Sequence, residues 1–442
     1  MESSAFAEDI IKRVLARGCD AGEVYMKNSS GISVEAKNGQ VEALEASRDF
    51  GLALKVIKKK KMGFAFTTDK DNIEEAISNA VQGTELTGID EYVGIPEQIP
   101  SDEVLIYDKR IKDIREEDII KDSLSLEKST LSYDKRIAKV RKAEVGVGEG
   151  HTIIVNSNGV RAAYKSSYYS AHVTALARDD SGESQMGWDY AGSRKIDDVD
   201  IESVGSRAAQ RATELLGSRK ISAVKVPVII SDAVAVDFLE ILSASLSAEA
   251  VQKKRSFLAD RTGQQVISPL IDICDDGTLP WRTGTRPVDD EGVPTKNKEI
   301  ISRGVLNGYI HNTYTARKHG VASTGNAIRR GAGSLPGVGV TNFYIRPGEM
   351  SHHDLMKSLP MGIVILSAMG VHTANPVSGD FSVGISGLWI EDGSVHYPVK
   401  EAIISGNILD MFKKVEGVGS NLVFYGSTGS PSILLGEMDI SA

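Results

Sequence analysis

Long apolar runs are missing from this chain. No stretch approaches the roughly 20 residues that a membrane helix needs, so a membrane-spanning protein is not expected. Cysteine is almost absent as well: Cys19 and Cys274 are the two in 442 residues. That is too few for a disulfide scaffold or a structural zinc site, and it points to a reducing compartment. Positive charge is in deficit, 51 Lys and Arg against 60 Asp and Glu for a formal charge of −9, which opposes a general nucleic-acid binder. The opening MESSAFAEDIIKR has no basic segment followed by an apolar run, so no signal peptide is expected and the expected location is cytoplasmic. The common catalytic signatures are missing too: the P-loop lysine motif, a complete G-x-G-x-x-G, G-x-S-x-G, C-x-x-C and H-E-x-x-H. None of the eight histidines has a partner four residues on that would set two imidazoles on one helical face.

What is present reads as a globular protein rich in turns. Hydrophobic residues make up 41%, charged residues 25%, and there are 43 glycines, which favours a β-rich body. Phe6, Ile10, Val14 and Leu15 recur at helical spacing over 4–17, behind a serine-rich cap. Two hairpins are expected next, ISVEAKNGQVEALEA turning on Asn38-Gly39 and GLALKVIKKKKMGFAF turning near the lysine run and Gly63. A second amphipathic helix fits 70–87. The pattern then recurs: a charged helix over 115–143, HTIIVNSNGVRAAYKSS turning on Asn158-Gly159, a strand pair turning at Asp180 to Gly182, and a helix over about 199–217. Helices and hairpins repeated in this order suggest a duplicated architecture. From Lys220 the texture changes, with the strand VKVPVII, a helix over 232–251, and then strands and glycine turns at Arg303-Gly304 and Asp392-Gly393. Ser351 with Asp354 marks a helix start. The expected fold class is α+β: an N-terminal lobe of helices and β-hairpins over 1–218, and a mainly antiparallel β lobe over 219–442.

Each chemical candidate has a plainer reading beside it. S-x-x-K at Ser125/Lys128 and Ser132/Lys135 sits on a lysine- and serine-rich helix where chance produces it. His352-His353-Asp354 resembles a metal cluster, yet neighbours on a helix point about 100° apart, and the capping pattern accounts for them. His311 and His319 flank TYTARK and converge only if the chain folds back there. Asp275-Asp276 and Asp289-Asp290-Glu291 could bind a hard cation or share a proton; as turn residues they more commonly bond their own backbone. In DFLEILSASLSAEAV, residues 237–251, Ala235, Leu239, Leu242 and Leu246 form an apolar stripe widened by Val234, Phe238 and Ile241. Asp237, Glu240, Ala244 and Ser247 form a narrow polar or small stripe beside it. On pattern alone Glu240 is a solvated or hydrogen-bonded glutamate.

The pieces GQQV, DDGT, DDEG, GVLNGYI, TARK and STGNAIR follow one another over 263–329. PVSGDFSVGISGLWIEDG and PVKEAIISGN lie further on, and GLALKVIKKKKMGFAF lies earlier. Together they resemble the TldD/PmbA family, long called modulators of DNA gyrase, a metallopeptidase system. In the family's TldD-type catalytic subunit an HExxxH helix before the GQQV block supplies two zinc ligands and a general base, and a C-terminal cysteine supplies another. Counting back from Gly263 places that motif on LEILSA, with Leu239 and Ala244 at the histidine positions and Glu240 at the glutamate. The C-terminal segment here, YGSTGSPSILLG, has no cysteine. Leucine and alanine offer no electron pairs to zinc, and a lone glutamate does not hold it. The resemblance therefore implies the metal-free PmbA (TldE) branch, with no catalytic residue and no cofactor in this chain. It implies zinc in a TldD-type partner forming a heterodimer, and a substrate that is an unfolded or extended peptide. If residues of this chain line a cleft shared with that partner, the candidates for substrate contact are the acidic turns Asp275, Asp276, Asp289, Asp290 and Glu291, with Thr324, Gly325, Asn326 and Arg329, whose plainer reading is as turn and packing residues. Two alternatives stay open: a metallopeptidase whose unconventional metal site uses His311, His319, His372 or the acidic turns, and a homodimer that binds peptides without cleaving them. No residue pattern suggests contact with a topoisomerase.

Overall fold

The computed structural model describes residues 4–441; the serine-rich cap expected before the first helix begins outside them. Helix α1 (Ser4–Ala16) leads into strands β1 (Ala21–Lys37), β2 (Gln40–Lys58) and β3 (Lys61–Thr67), followed by α2 (Ile73–Leu86). After a connector come α3 (Glu116–Ser132), β4 (Ile137–Asn156), β5 (Arg161–Arg178), β6 (Ser184–Ser193) and α4 (Ile201–Glu214). The six strands form one antiparallel sheet in the order β3-β2-β1-β4-β5-β6, so the two helix–three-strand–helix units meet along β1 and β4.

Two expectations are corrected here. Each unit holds a three-strand meander instead of two separate hairpins. β2 continues through the polar stretch Glu45–Asp49, which pairs with Ser33–Ser29 of β1. Short β3 covers only Leu52–Lys58 of β2, so the rest of that strand is a solvated edge and carries no hydrophobic alternation to read. The helix expected over 115–143 ends at Ser132. Beyond it, Ile137, Val140, Ala143 and Val145 face the core, and the charged residues between them gave the strand a helical look.

The two turns in the first unit have positive φ, Asn38 (55°) with Gly39 (72°) and Lys59 (52°) with Lys60 (61°), the geometry that matches strand twist in a two-residue hairpin. The helices lie on one face of the sheet. α1 and α2 cover Val24, Met26, Leu52, Leu54, Ile153 and Val155, while α3 and α4 cover Val34, Ala36, Val145, Tyr169, Ala171 and Val173. A glycine sits at the same place in both units. A Cβ on Gly63 of β3 would lie 1.8 Å from the Ala80 carbonyl oxygen of α2, and one on Gly187 of β6 would lie 2.3 Å from that of Ala208 in α4. Each helix therefore approaches its outer strand as closely as a missing side chain allows, which supports the duplication beyond pattern.

The carboxy-terminal half is β-rich. β7 (Val224–Ile230) is followed by α5 (Asp232–Ser245), α6 (Ala248–Gln252), β8 (Ile273–Asp276), β9 (Asn297–Ser302) and β10 (Val305–Leu306). Then come α7 (Thr313–His319), β11 (Ala327–Ile328), β12 (Gly337–Val338), β13 (Phe343–Ile345), α8 (His352–Lys357) and β14 (Met361–Met369). The chain ends with β15 (Asp380–Glu391), β16 (Ser394–Asn407), α9 (Ile408–Lys413), β17 (Val415–Val418), β18 (Val423–Tyr425), β19 (Thr428–Ser430) and β20 (Ile433–Ser441). Strands β16-β15-β14-β7-β20 close into a five-stranded barrel through Ile403↔Ser441 and Ile404↔Ile440. β14 and β7 are its parallel pair. A second sheet runs β10-β9-β8-β13-β19-β18. The fold is α+β, as the sequence implies. Ser351 caps α8 in a capping box with Asp354, and Asp392 and Arg303 turn their hairpins with positive φ.

Candidate functional site

α5 buries Val234, Ala235, Phe238, Leu239 and Leu242 in the main core, where Phe238 meets Phe381 edge-on at 5.0 Å. The apolar stripe read from sequence thus faces inward. The helix expected over 232–251 is interrupted, because Ile310 donates to the Leu246 carbonyl and accepts from the Ala248 amide, both at 3.0 Å. Backbone pairing of this kind replaces a helical turn.

The opposite stripe lines an open cleft of about 420 Å³, with Asp237, Glu240 and Ala244 along α5 and Val371, His372 and Pro376 across from them. Beyond Asp237 a smaller hollow continues between Trp188, Arg211 and Ser367. Strands β18 and β19 pack against α5, and the Thr428 hydroxyl hydrogen-bonds the Glu240 carboxylate. Burial raises the Glu240 pKa and the Thr428 bond opposes that rise. Burial, and then the charge of Glu240, push Asp237 up to about 6. At the helix start Tyr425 donates to Asp232 at 3.0 Å, and Arg211 reaches both Tyr425 and Asp189. These contacts tie the β6 edge to α5. The helix motif position and YGSTGSPSILLG, distant in sequence, are neighbours here. Nothing in the local sequence marks Thr428, whose segment is distinguished only by its lack of cysteine, and Tyr425 and Arg211 belong to no motif.

At the α5 cleft, the two positions that carry histidines in an HExxxH helix, Leu239 and Ala244, offer no donor to a zinc ion. Leu239 is fully buried in the core, so its side chain is both donor-free and turned away from the cleft that Glu240 and Ala244 line. Among the described residues, no group of three or more His, Cys, Asp or Glu side chains is placed to hold a metal ion.

The acidic turns and Thr324–Arg329 do come together, but none of them lines the α5 cleft. They form a buried network against the amino-terminal sheet. Asp275 accepts from Asn326 at 2.7 Å and pairs with Lys298 at 3.0 Å, and Asp276 accepts from Thr278. Asp289 accepts three backbone amides, those of Glu291, Val293 and Ala327, each at 2.9 Å. Asp290 accepts from the Arg329 amide at 2.7 Å. Glu291 pairs with Lys55 at 3.3 Å, Lys55 with Glu23 at 3.4 Å, and Glu23 with Arg329 at 3.0 Å. Thr324 accepts from the His311 amide, and Gly325, with φ 72°, passes so close to Pro294 that a Cβ would lie 2.4 Å from its carbonyl oxygen. Every partner here lies within the chain, as turn and packing residues require.

Known proteins share this fold over nearly the whole chain. Family models described as PmbA/TldA metallopeptidase domain 1, central domain and C-terminal domain match residues 22–83, 109–216 and 223–442. The chain belongs to the PmbA/TldD metallopeptidase family. It is 31% identical over 426 residues to the metalloprotease PmbA homolog of Buchnera aphidicola, covering 95% of this chain and 92% of that protein. It is 29% identical over 433 residues to metalloprotease PmbA of Escherichia coli O157:H7, covering 96% and 92%. A Thermotoga maritima crystal structure, of a protein proposed to modulate a DNA gyrase, superposes with a TM-score of 0.92 at 29% identity, covering 99% of this chain and all of that one. TldE from Thermococcus kodakarensis superposes at 0.89 with 23% identity, covering 99% of this chain and 100% of that one; at that identity the likeness is one of fold.

Proposed function

We propose that this chain is a PmbA/TldE-type subunit that carries no catalytic zinc of its own. It pairs with a TldD-type subunit whose zinc does the chemistry, and together they cleave unfolded or extended peptides in the cytoplasm. The observation that supports this most is the pair of side chains at the two histidine positions, Leu239 and Ala244. One is buried in the core and neither offers a donor, while Glu240 is engaged by Thr428. A glutamate without a metal-bound water has no nucleophile to activate.

In this reading the lobes 1–218 and 219–442 form walls of a cleft shared with the partner, and the substrate is held largely through its backbone along strand edges. Glu291 and Arg329 serve it by joining one lobe to the other through Lys55 and Glu23, and Asp275, Asp276, Asp289, Asp290 and Thr324 by holding the turns around them in place. The test is reconstitution. The chain alone should leave an unstructured peptide intact, and a TldD-type partner should restore cleavage. Cleavage by this chain alone, abolished by chelator, refutes the reading. Peptide binding without cleavage under any pairing supports the homodimeric binding protein instead.

A further inference from the structure

We propose that His311 and His319 form a two-histidine site for a divalent first-row transition ion, separate from the α5 cleft and independent of how that cleft is read. The chain folds back through α7, capped at its start by Asn312 and Thr315 and at its end by Gly320 in the left-handed region. This brings the two imidazoles to a centroid separation of 5.3 Å with planes at 71°. Two imidazoles bound to one tetrahedral ion, each through a metal–nitrogen bond of about 2.0–2.1 Å, have centroids about 5 Å apart. The observed spacing therefore fits chelation with little movement.

His311 is the unusual member. Its ring is buried, 5% exposed, and its Nδ1 has no hydrogen-bond partner among the described residues. A buried unpaired ring nitrogen is costly unless something accepts its electron pair. His319 is exposed, so water can complete the coordination shell. Imidazole donors select zinc, nickel or copper over magnesium or calcium.

Bound metal would clamp both ends of α7. That helix also carries Tyr314, which donates to Asp90 at 3.0 Å, and Arg317, which donates to the Val93 carbonyl at 3.1 Å. Clamping it would stiffen a bridge between the amino-terminal connector and the carboxy-terminal half.

The test is calorimetric titration of the dialysed full chain with nickel(II) chloride and with zinc chloride, alongside His311→Ala, His319→Gln and His353→Gln. One site of micromolar affinity is expected, weakened at least tenfold by either of the first two substitutions and unchanged by the third. His319 is exposed, so its variant reports on binding even if His311→Ala fails to fold. Absence of binding, binding unaffected by His319→Gln, or loss on His353→Gln overturns the proposal.

Discussion

Lys55 is the buried cation on which the junction between the amino-terminal sheet and the carboxy-terminal half turns, and replacing it with methionine is the sharpest perturbation the fold offers. Lys55 lies between Glu23 and Glu291 at 3.4 and 3.3 Å, all three nearly inaccessible. At an effective dielectric of about 20 each contact is worth about 5 kcal/mol of attraction, set against several kcal/mol to desolvate each charge. Burial lowers the Lys55 pKa, but Glu23 and Glu291 outweigh it and the net shift is upward. Burial raises Glu23 in spite of Lys55 and Arg329. Lys55→Met keeps the stem and removes the charge, leaving two facing carboxylates with only Arg329 to offset them. Breaking such a cluster from one side costs about 3–5 kcal/mol, read as a lowered urea midpoint at pH 7. Adding Glu291→Gln should recover a large part of the loss. The sign with pH also follows. Glu23, whose folded pKa is raised, binds more protons in the folded state, so the deficit of Lys55→Met should shrink as pH falls from 7 toward 5. A loss under about 1 kcal/mol, or no recovery in the double variant, would refute this account of the junction.

Three further outcomes are expected. Gly187→Ala should destabilise by about 1–3 kcal/mol, because its Cβ meets the α4 backbone at 2.3–2.4 Å. Gly88→Ala, with open space around it, should stay within about 0.5 kcal/mol by the same urea titration. Asp237→Asn should stabilise the protein by about 1–2 kcal/mol at pH 7, taking 1.36 kcal/mol per unit and halving it for partial exposure. Asp237 has a folded pKa of about 6 against 3.8, so its ionisation opposes folding above pH 6 and the advantage should vanish below about pH 4. Thr428→Val removes the bond that lowers the Glu240 pKa, so a carboxyl carbon NMR titration should show Glu240 titrating at higher pH than in the parent chain.

Much of this architecture was legible in the residues. The inward stripe of α5 followed from Ala235, Leu239 and Leu242, and the turns at Asn38-Gly39, Arg303-Gly304 and Asp392-Gly393 followed from the need for positive φ. The end of α3 was not legible, because the charged residues between Ile137 and Val145 sit on a solvated strand face whose pattern mimics a helix. The break after Ser245 was hidden because its cause, Ile310, lies 65 residues away. At the site, the polar stripe Asp237, Glu240 and Ala244 could be named from helical spacing alone. Thr428 and Tyr425 could not, since only tertiary packing brings β18 and β19 onto α5. The acidic turns read equally well as ligands or as turn residues. Their partners, Lys55, Lys298 and backbone amides, are set by sheet register and not by local sequence.

The central claim is that donor atoms are missing where a zinc-bearing relative would grip its ion. The most direct measurement is metal content by mass spectrometry on the purified chain after exhaustive dialysis, taken together with its peptidase activity. The account predicts far less than one zinc per chain, since a micromolar site at His311 and His319 empties under dialysis, and no cleavage. About one retained zinc per chain, lost together with peptidase activity on substituting Glu240, would contradict it.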